Sequence, residues 1–160
     1  MKKLEIKSNI SVYNTADELD INDQKLLSKA HEAAKDAYAP YSNFNVGAAV
    51  RLTNGTVFPG SNQENAAYPT CLCAERTALS VAASQYPNVA VEAMAVTVKT
   101  KDPINRPVSP CGSCRQAIFE VEHRYGQNIK IIMQGETGEI YVCGSIKDLL
   151  PLNFTGDLLP

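Results

Sequence analysis

The sequence predicts an α/β fold: a three-layer α/β/α sandwich around a central mixed sheet of about five strands. Three observations carry this. The 160 residues suit one domain, which at this size buries roughly 70% of the surface its unfolded chain exposes. Strand-like and helix-like hydrophobic patterns alternate along the chain, as they do where helices cover both faces of a sheet. Asn54-Gly55 stands between two strand-like runs, the strongest short hairpin signal, because both residues tolerate positive φ.

Taken in order, residues 1–21 read as one strand and a loop. Residues 22–38 read as a helix, capped by Asn22 or Asp23 and ended by Pro40, with Leu26, Leu27, Ala30, Ala33, Ala34 and Ala37 as its apolar stripe. Strands follow over 46–52 and 56–59, on either side of the Asn54-Gly55 turn. A second helix runs from Cys73 to about Gln85, with Ala74, Ala78, Val81 and Ala82 at the spacing of a buried face. Residues 89–98 read as a strand. A third helix spans 111–125, with Ala117, Ile118 and Val121 inward and Gly126 at its end. Two more strands cover 129–133 and 140–143, and residues 145–150 form a short capped helix before Pro151. No repeat, low-complexity tract or boundary divides the chain, so residues 1–160 are expected to form one domain.

Fifteen Lys plus Arg against seventeen Asp plus Glu give a net charge of −2, and the longest basic run is Lys2-Lys3. That balance disfavours nucleic acid as a partner. No run approaches the roughly 20 apolar residues of a membrane span, and the amino-terminal segment never forms the apolar stretch of a signal peptide. Five cysteines, an odd number spaced partly as C-x-C and C-x-x-C, point to thiolate chemistry in a reducing compartment, hence to a cytoplasmic protein.

The cysteine spacing carries the chemistry. Cys73-Ala74-Glu75 and Pro110-Cys111-Gly112-Ser113-Cys114 supply three metal ligands, which is what a hydrolytic zinc site needs if its fourth position is to hold water. Both motifs begin helices, where exposed N–H groups favour thiolate over thiol. Glu75, two residues past the first ligand, points away from that thiolate yet stays beside the metal, so it would move protons rather than bind Zn2+. Three thiolates outweigh the zinc charge, which would make its bound water less acidic. Arg76 and Arg115, each adjacent in sequence to a site residue, are placed to offset that charge and bring the water toward a pKa near 7. A structural zinc site with Cys71 as fourth ligand is the rival, but Cys71 precedes the helix and such a site gives Glu75 no role. Cys71 and Cys143 read instead as buried small apolar residues. His31 and His123 fall in no motif and read as surface residues, which removes Cys-His nucleophilic catalysis.

Cys-x-Glu followed by Pro-Cys-x-x-Cys is the signature of zinc nucleobase deaminases in its three-cysteine form. The chain resembles the small cytidine deaminase family, the three-cysteine class that assembles as a homotetramer. The resemblance runs through Ala37-Tyr38-Ala39-Pro40-Tyr41-Ser42, Phe44-x-Val46-Gly47-Ala48-Ala49, Asn62-x-Glu64-Asn65-Ala66-Ala67-Tyr68, Cys73-Ala74-Glu75-Arg76-Thr77-Ala78, Ser109-Pro110-Cys111-Gly112-x-Cys114-Arg115-Gln116 and Leu149-Leu150-Pro151-x-x-Phe154, covering about residues 25–158. It implies zinc-dependent deamination of cytidine and 2′-deoxycytidine to uridine and 2′-deoxyuridine in pyrimidine salvage. It also implies that Asn62 and Glu64 bind the ribose hydroxyls, that Phe44 packs on the nucleoside, and that Phe154 reaches a neighbouring subunit's site. Taken singly, Phe44 and Phe154 also fit core positions, and Asn62 with Glu64 also fits a solvated turn. A free nucleoside carries no phosphate, which agrees with the near-neutral charge. Residues 1–21 lie outside the resemblance, and Pro69 departs from it in the loop before Cys73. Two rivals stand beside this reading: a deaminase of another aminopyrimidine, and a zinc-stabilised RNA-binding module.

Overall fold

Along β2 (Asn45–Leu52) and β4 (Val91–Lys99) the side chains alternate between two apolar environments, and that alternation makes the layers. Ala48, Val50, Leu52, Met94 and Val96 face one cluster, shared with α2 (Ala74–Gln85) and α3 (Gly112–Tyr125). Ala49, Ala93 and Ala95 face the other, shared with Leu26, Leu27 and Ala30 of α1 (Ile21–Ala34). One helix therefore covers one face and two cover the other, the expected sandwich. The computed structural model describes residues 1–159; Pro160, the last residue of the expected domain, lies outside the described residues.

The sheet is mixed and has six strands, in the order β1-β6-β5-β4-β2-β3. β3 is Val57–Ser61, β5 Lys130–Gln134 and β6 Ile140–Cys143. Only β4 and β5 run parallel, and α3 is the crossover such a pair requires. The sixth strand is β1 (Ser11–Tyr13), which lies on the sheet edge against β6 and is the strand expected within residues 1–21, its bounds left open by the sequence. Three residues are too few to give a strand period in the sequence. β2 and β3 close around Asn54-Gly55 as expected: Gly55 has φ of 85°, and the Asn54 side chain accepts from the Thr56 N–H at 3.0 Å. β3 lies at the opposite edge, the one place where Pro59 costs no ladder hydrogen bond.

Several boundaries differ from expectation. The cap of α1 is Asp20, whose carboxylate accepts from the N–H groups of Asn22 and Asp23. Asp23 is buried instead, paired with Arg51 at 2.9 Å and Lys130 at 2.6 Å. The helix stops at Ala34 rather than residue 38, because Tyr38 is drawn into a bridge with Gln63: its N–H donates to the Asn62 carbonyl and its own carbonyl accepts from Glu64. Residues 145–150 tighten to one 3₁₀ turn, Ile146–Asp148, capped by the Ser145 hydroxyl. His31 is half-buried rather than on the surface, with its ring nitrogens 3.0 Å from Gln134 Oε1 and 3.4 Å from Thr97 Oγ1. It ties α1 to the ends of β4 and β5. His123 is exposed, and Cys143 is buried as expected. No described helix is long and apolar enough to cross a membrane.

Candidate active site

The sheet brings the starts of α2 and α3 together. Cys73 is the N-cap of α2, Cys111 the N-cap of α3, and Cys114 lies buried in the first turn of α3. Their sulfurs all lie within 4.8 Å of one another, with Cys73 and Cys111 4.0 Å apart. A tetrahedral zinc with bonds of about 2.3 Å would hold sulfurs about 3.8 Å apart, so the donor set suits that ion in both softness and spacing. Among the described residues this is the one such cluster.

α2 is held low on the sheet at this point. A side chain on Gly60 of β3 would run into the backbone of Ala74 and Ala78, so the missing Cβ is what allows the first turn of α2, and with it Glu75, to sit against the strand. Glu75 is 4% exposed. Burial raises its pKa, more than its own N–H and the Cys114 thiol lower it. The thiols divide their protons unequally. Cys73 is lowered to about 5, chiefly by a hydrogen bond from Cys114 and then by Arg76, while Cys114 is raised by that same bond and by burial.

Arg76 Nη2 lies 3.7 Å from Cys73 Sγ and donates to the Cys71 carbonyl at 3.0 Å. Arg115, expected beside the thiolates, turns its hydrogen bonds elsewhere: to the Pro110 carbonyl, the Leu149 carbonyl and the Ser109 hydroxyl, each at 2.9 Å. The reason is its place on α3, one residue past the ligand, where it faces the carboxyl-terminal segment. It braces the loop before Cys111.

Above the sulfurs opens a cavity of about 280 Å³, with Phe44, Asn62, Glu64, Leu72, Cys73 and Glu75 in its wall. Asn62 stitches the start of β2, accepting from the Val46 N–H at 2.7 Å and donating to the Phe44 carbonyl at 3.0 Å. One lone pair and one amide proton of its side chain remain. Glu64 Oε2 accepts from the N–H groups of Tyr41 and Ser42. Hydrogen bonding from Ser42 and then Tyr41 holds its carboxyl below the usual range, and both backbone N–H groups fall on Oε2 rather than Oε1. The Ser42 hydroxyl in turn accepts from the Phe44 N–H, so Phe44 and Glu64 share one support.

Cys71 is half-buried on the cavity wall rather than buried in the core. It is not a fourth member of the sulfur cluster. Its sulfur accepts from the Asn65 N–H at 3.2 Å and faces the Asn65 carbonyl at 3.6 Å. Phe154 stays outside the cavity of its own chain, 56% exposed. The sequence reading overlooked Leu72 and Val108 as wall residues. For Leu72 the signal was its place between two cysteines; for Val108 there was none beyond its nearness to Pro110.

Residues 20–126 match the family described as cytidine and deoxycytidylate deaminase zinc-binding region. A cytidine deaminase of Halalkalibacterium halodurans is 42% identical over 134 residues, 84% of this chain and 95% of that protein. One of Sporosarcina psychrophila is 45% identical over 97 residues, 61% of this chain and 68% of that one. Among solved structures, a cytidine deaminase from Burkholderia pseudomallei superposes with a TM-score of 0.71 at 41% identity, covering 81% of this chain and 97% of its own. That of Mycobacterium tuberculosis gives 0.65 at 29% identity over 85% and 99%.

Proposed function

Because the chain belongs to the cytidine and deoxycytidylate deaminase zinc-binding family, we propose that it hydrolyses cytidine and 2′-deoxycytidine to uridine and 2′-deoxyuridine with release of ammonia. The observation that carries this is the meeting of Cys73, Cys111 and Cys114 below a cavity that Glu75 lines. Zinc held by those sulfurs would supply a Lewis acid that makes a water nucleophilic at neutral pH. Glu75 takes a proton from that water as it adds to C4 of the pyrimidine, and passes it to the ring nitrogen. It then moves the remaining proton of the added hydroxyl to the exocyclic amine, so that the C–N bond breaks, the C4 carbonyl forms and ammonia leaves. Such proton transfer is worth on the order of 10²–10⁴ in rate. The cavity is small for a ligand site, which favours a free nucleoside over a polymer, as does the charge of −2.

The remaining roles follow from what each side chain has free. Glu64 Oε1 and the spare donor of Asn62 meet the sugar hydroxyls, and Phe44 stacks on the base. Arg76 offsets thiolate charge directly, and Arg115 braces the loop that carries Cys111. Phe154 completes the site of another subunit in a homotetramer. The protein serves pyrimidine salvage in a reducing cytoplasm, where thiolates persist.

The test is the ultraviolet absorbance change of cytidine with zinc-loaded protein, run beside Glu75→Gln. Conversion by the first alone, with zinc retained in both, is the expected result. Equal activity in the two would sink the role of Glu75, and no conversion by either folded, zinc-bound protein would shift the substrate to another aminopyrimidine.

A further inference from the structure

Phe154 is an exposed aromatic ring on a backbone that is not free. The Gln116 side chain on α3 grips its peptide at both ends: Nε2 donates to the Phe154 carbonyl at 2.9 Å, and Oε1 accepts from the Phe154 N–H at 3.4 Å. One residue earlier on the same helix, Arg115 Nη1 donates to the Leu149 carbonyl at 2.9 Å. The segment between, 149–154, is thus pinned to the first turns of α3 at two points. Within it, Asn153 Nδ2 donates to the Leu150 carbonyl at 3.4 Å.

Two polar side chains anchor this strap while the ring it ends in stays out of its own core and out of its own cavity. Ordering a backbone costs about 1–2 kcal/mol per residue, and an unburied ring returns none of that. A fixed, exposed ring is what a surface needs in order to present an aromatic group to something else. The same molecule also carries a surface able to receive such a ring. Leu72 of the cavity wall is exposed, as are Tyr41, whose N–H holds the wall residue Glu64, and Tyr68, and the rings of those two tyrosines meet edge-on at 6.0 Å.

We infer that Gln116 is a positioning residue that sets the backbone of Phe154 so that its ring enters the nucleoside site of a second copy of the chain. Gln116 therefore serves a site other than the one its own helix helps to build. This rests on the reading of Phe154 given above, and the experiment separates the two. Steady-state kinetics on cytidine are compared for zinc-loaded wild type, Gln116→Ala, Phe154→Ala and the double variant, with zinc content and thermal midpoint recorded for each. Phe154→Ala raises KM by about 5- to 150-fold, the range set by one base–aromatic stack. Gln116→Ala is expected to raise KM in the same direction with kcat little changed, and to add nothing once Phe154 is gone. Gln116→Glu, which keeps the acceptor for the Phe154 N–H and loses the donor, falls between.

The second arm is co-expression of Gln116→Ala with Glu75→Gln chains. Active sites then belong to Gln116→Ala chains, while intact straps come from the inactive ones, and part of the activity returns at wild-type KM. KM unchanged in Phe154→Ala would overturn the reading of Phe154 itself. KM raised in Phe154→Ala but not in Gln116→Ala overturns the positioning role alone. Additive losses, or hybrids that keep the raised KM throughout, place the effect of Gln116 in its own chain's site and overturn the inference as well.

Discussion

Two glutamates are buried on the same side of the sheet, and they are built in opposite ways. Glu122, 2% exposed near the end of α3, has three of its roughly four lone-pair sites filled: Oε1 accepts from the Ile129 and Ile146 N–H groups at 2.8 and 3.0 Å, and Oε2 from the Ser145 hydroxyl at 2.8 Å. Glu75, at the start of α2, lines a cavity and meets only its own N–H and the Cys114 thiol. Burial alone does not mark a carboxylate for chemistry. Glu122 uses its capacity to tie α3 to the start of β5 and the turn after β6, whereas Glu75 keeps its capacity for whatever enters.

Activity breaks this comparison most sharply. Glu75→Gln is expected to lower kcat by at least about 100-fold while leaving the urea midpoint where it is. A midpoint shift as large as the activity loss would make Glu75 structural after all. The third buried carboxylate, Asp23, offers the next largest effect. Asp23→Ala leaves Arg51, which already has one buried Nη1 without a partner, facing only Glu92. A loss of about 3–5 kcal/mol in urea unfolding is expected, with kcat per folded molecule intact.

Glu122→Ala strands three donors, each costing about 1–3 kcal/mol. We expect about 3 kcal/mol or more lost from stability and unchanged turnover in the folded fraction; a fall in kcat with no loss of stability would erase the contrast with Glu75. The smallest effect is at Asp20, on the surface. Hydrogen bonding with the Asp23 side chain, then the N–H groups it caps and Lys130 nearby, lowers its pKa from 3.8 to about 2. A carboxyl held lower in the folded state contributes stability that is present above pH about 4 and lost as pH falls toward 2. Asp20→Asn keeps the cap and should flatten that part of the pH–stability curve, as read by thermal melts between pH 4 and 2.

The comparison also explains what could be read in the sequence. Cys73, Glu75, Cys111 and Cys114 were legible because each pair is local, set by a few residues at the start of a helix, and only the joining of the two pairs needed the fold. The structural carboxylates were not legible. Asp23 meets Arg51 across 28 residues and Lys130 across 107, distances that only sheet register bridges, and a sequence shows Asp23 merely as one more acidic residue near a helix start. Arg115 was misplaced for a similar reason. Its neighbour in sequence is a thiolate, but its partners in space are carbonyls of segments that pack beside α3. Helices and the hairpin came through because their signals are periodic or contained in two residues; the bounds of β1 and the end of α1 did not, since both are decided by pairing with distant segments.

The edge strand has a consequence for how the protein is made. Ser11 lies opposite Val142, and the Asn9 N–H meets the Asp148 carboxylate at 2.9 Å. β1 is therefore synthesised well before the strand it pairs with, and has no place to go until β6 is made. At about 5–20 residues per second of translation, that wait is on the order of ten seconds, during which Leu4, Ile6, Ile10 and Val12 stand outside any core, as all four still do in the finished fold. β1 can dock only after Cys73, Glu75, Cys111 and Cys114 have all been made, so its edge of the sheet closes later than the elements that carry the sulfur cluster can form.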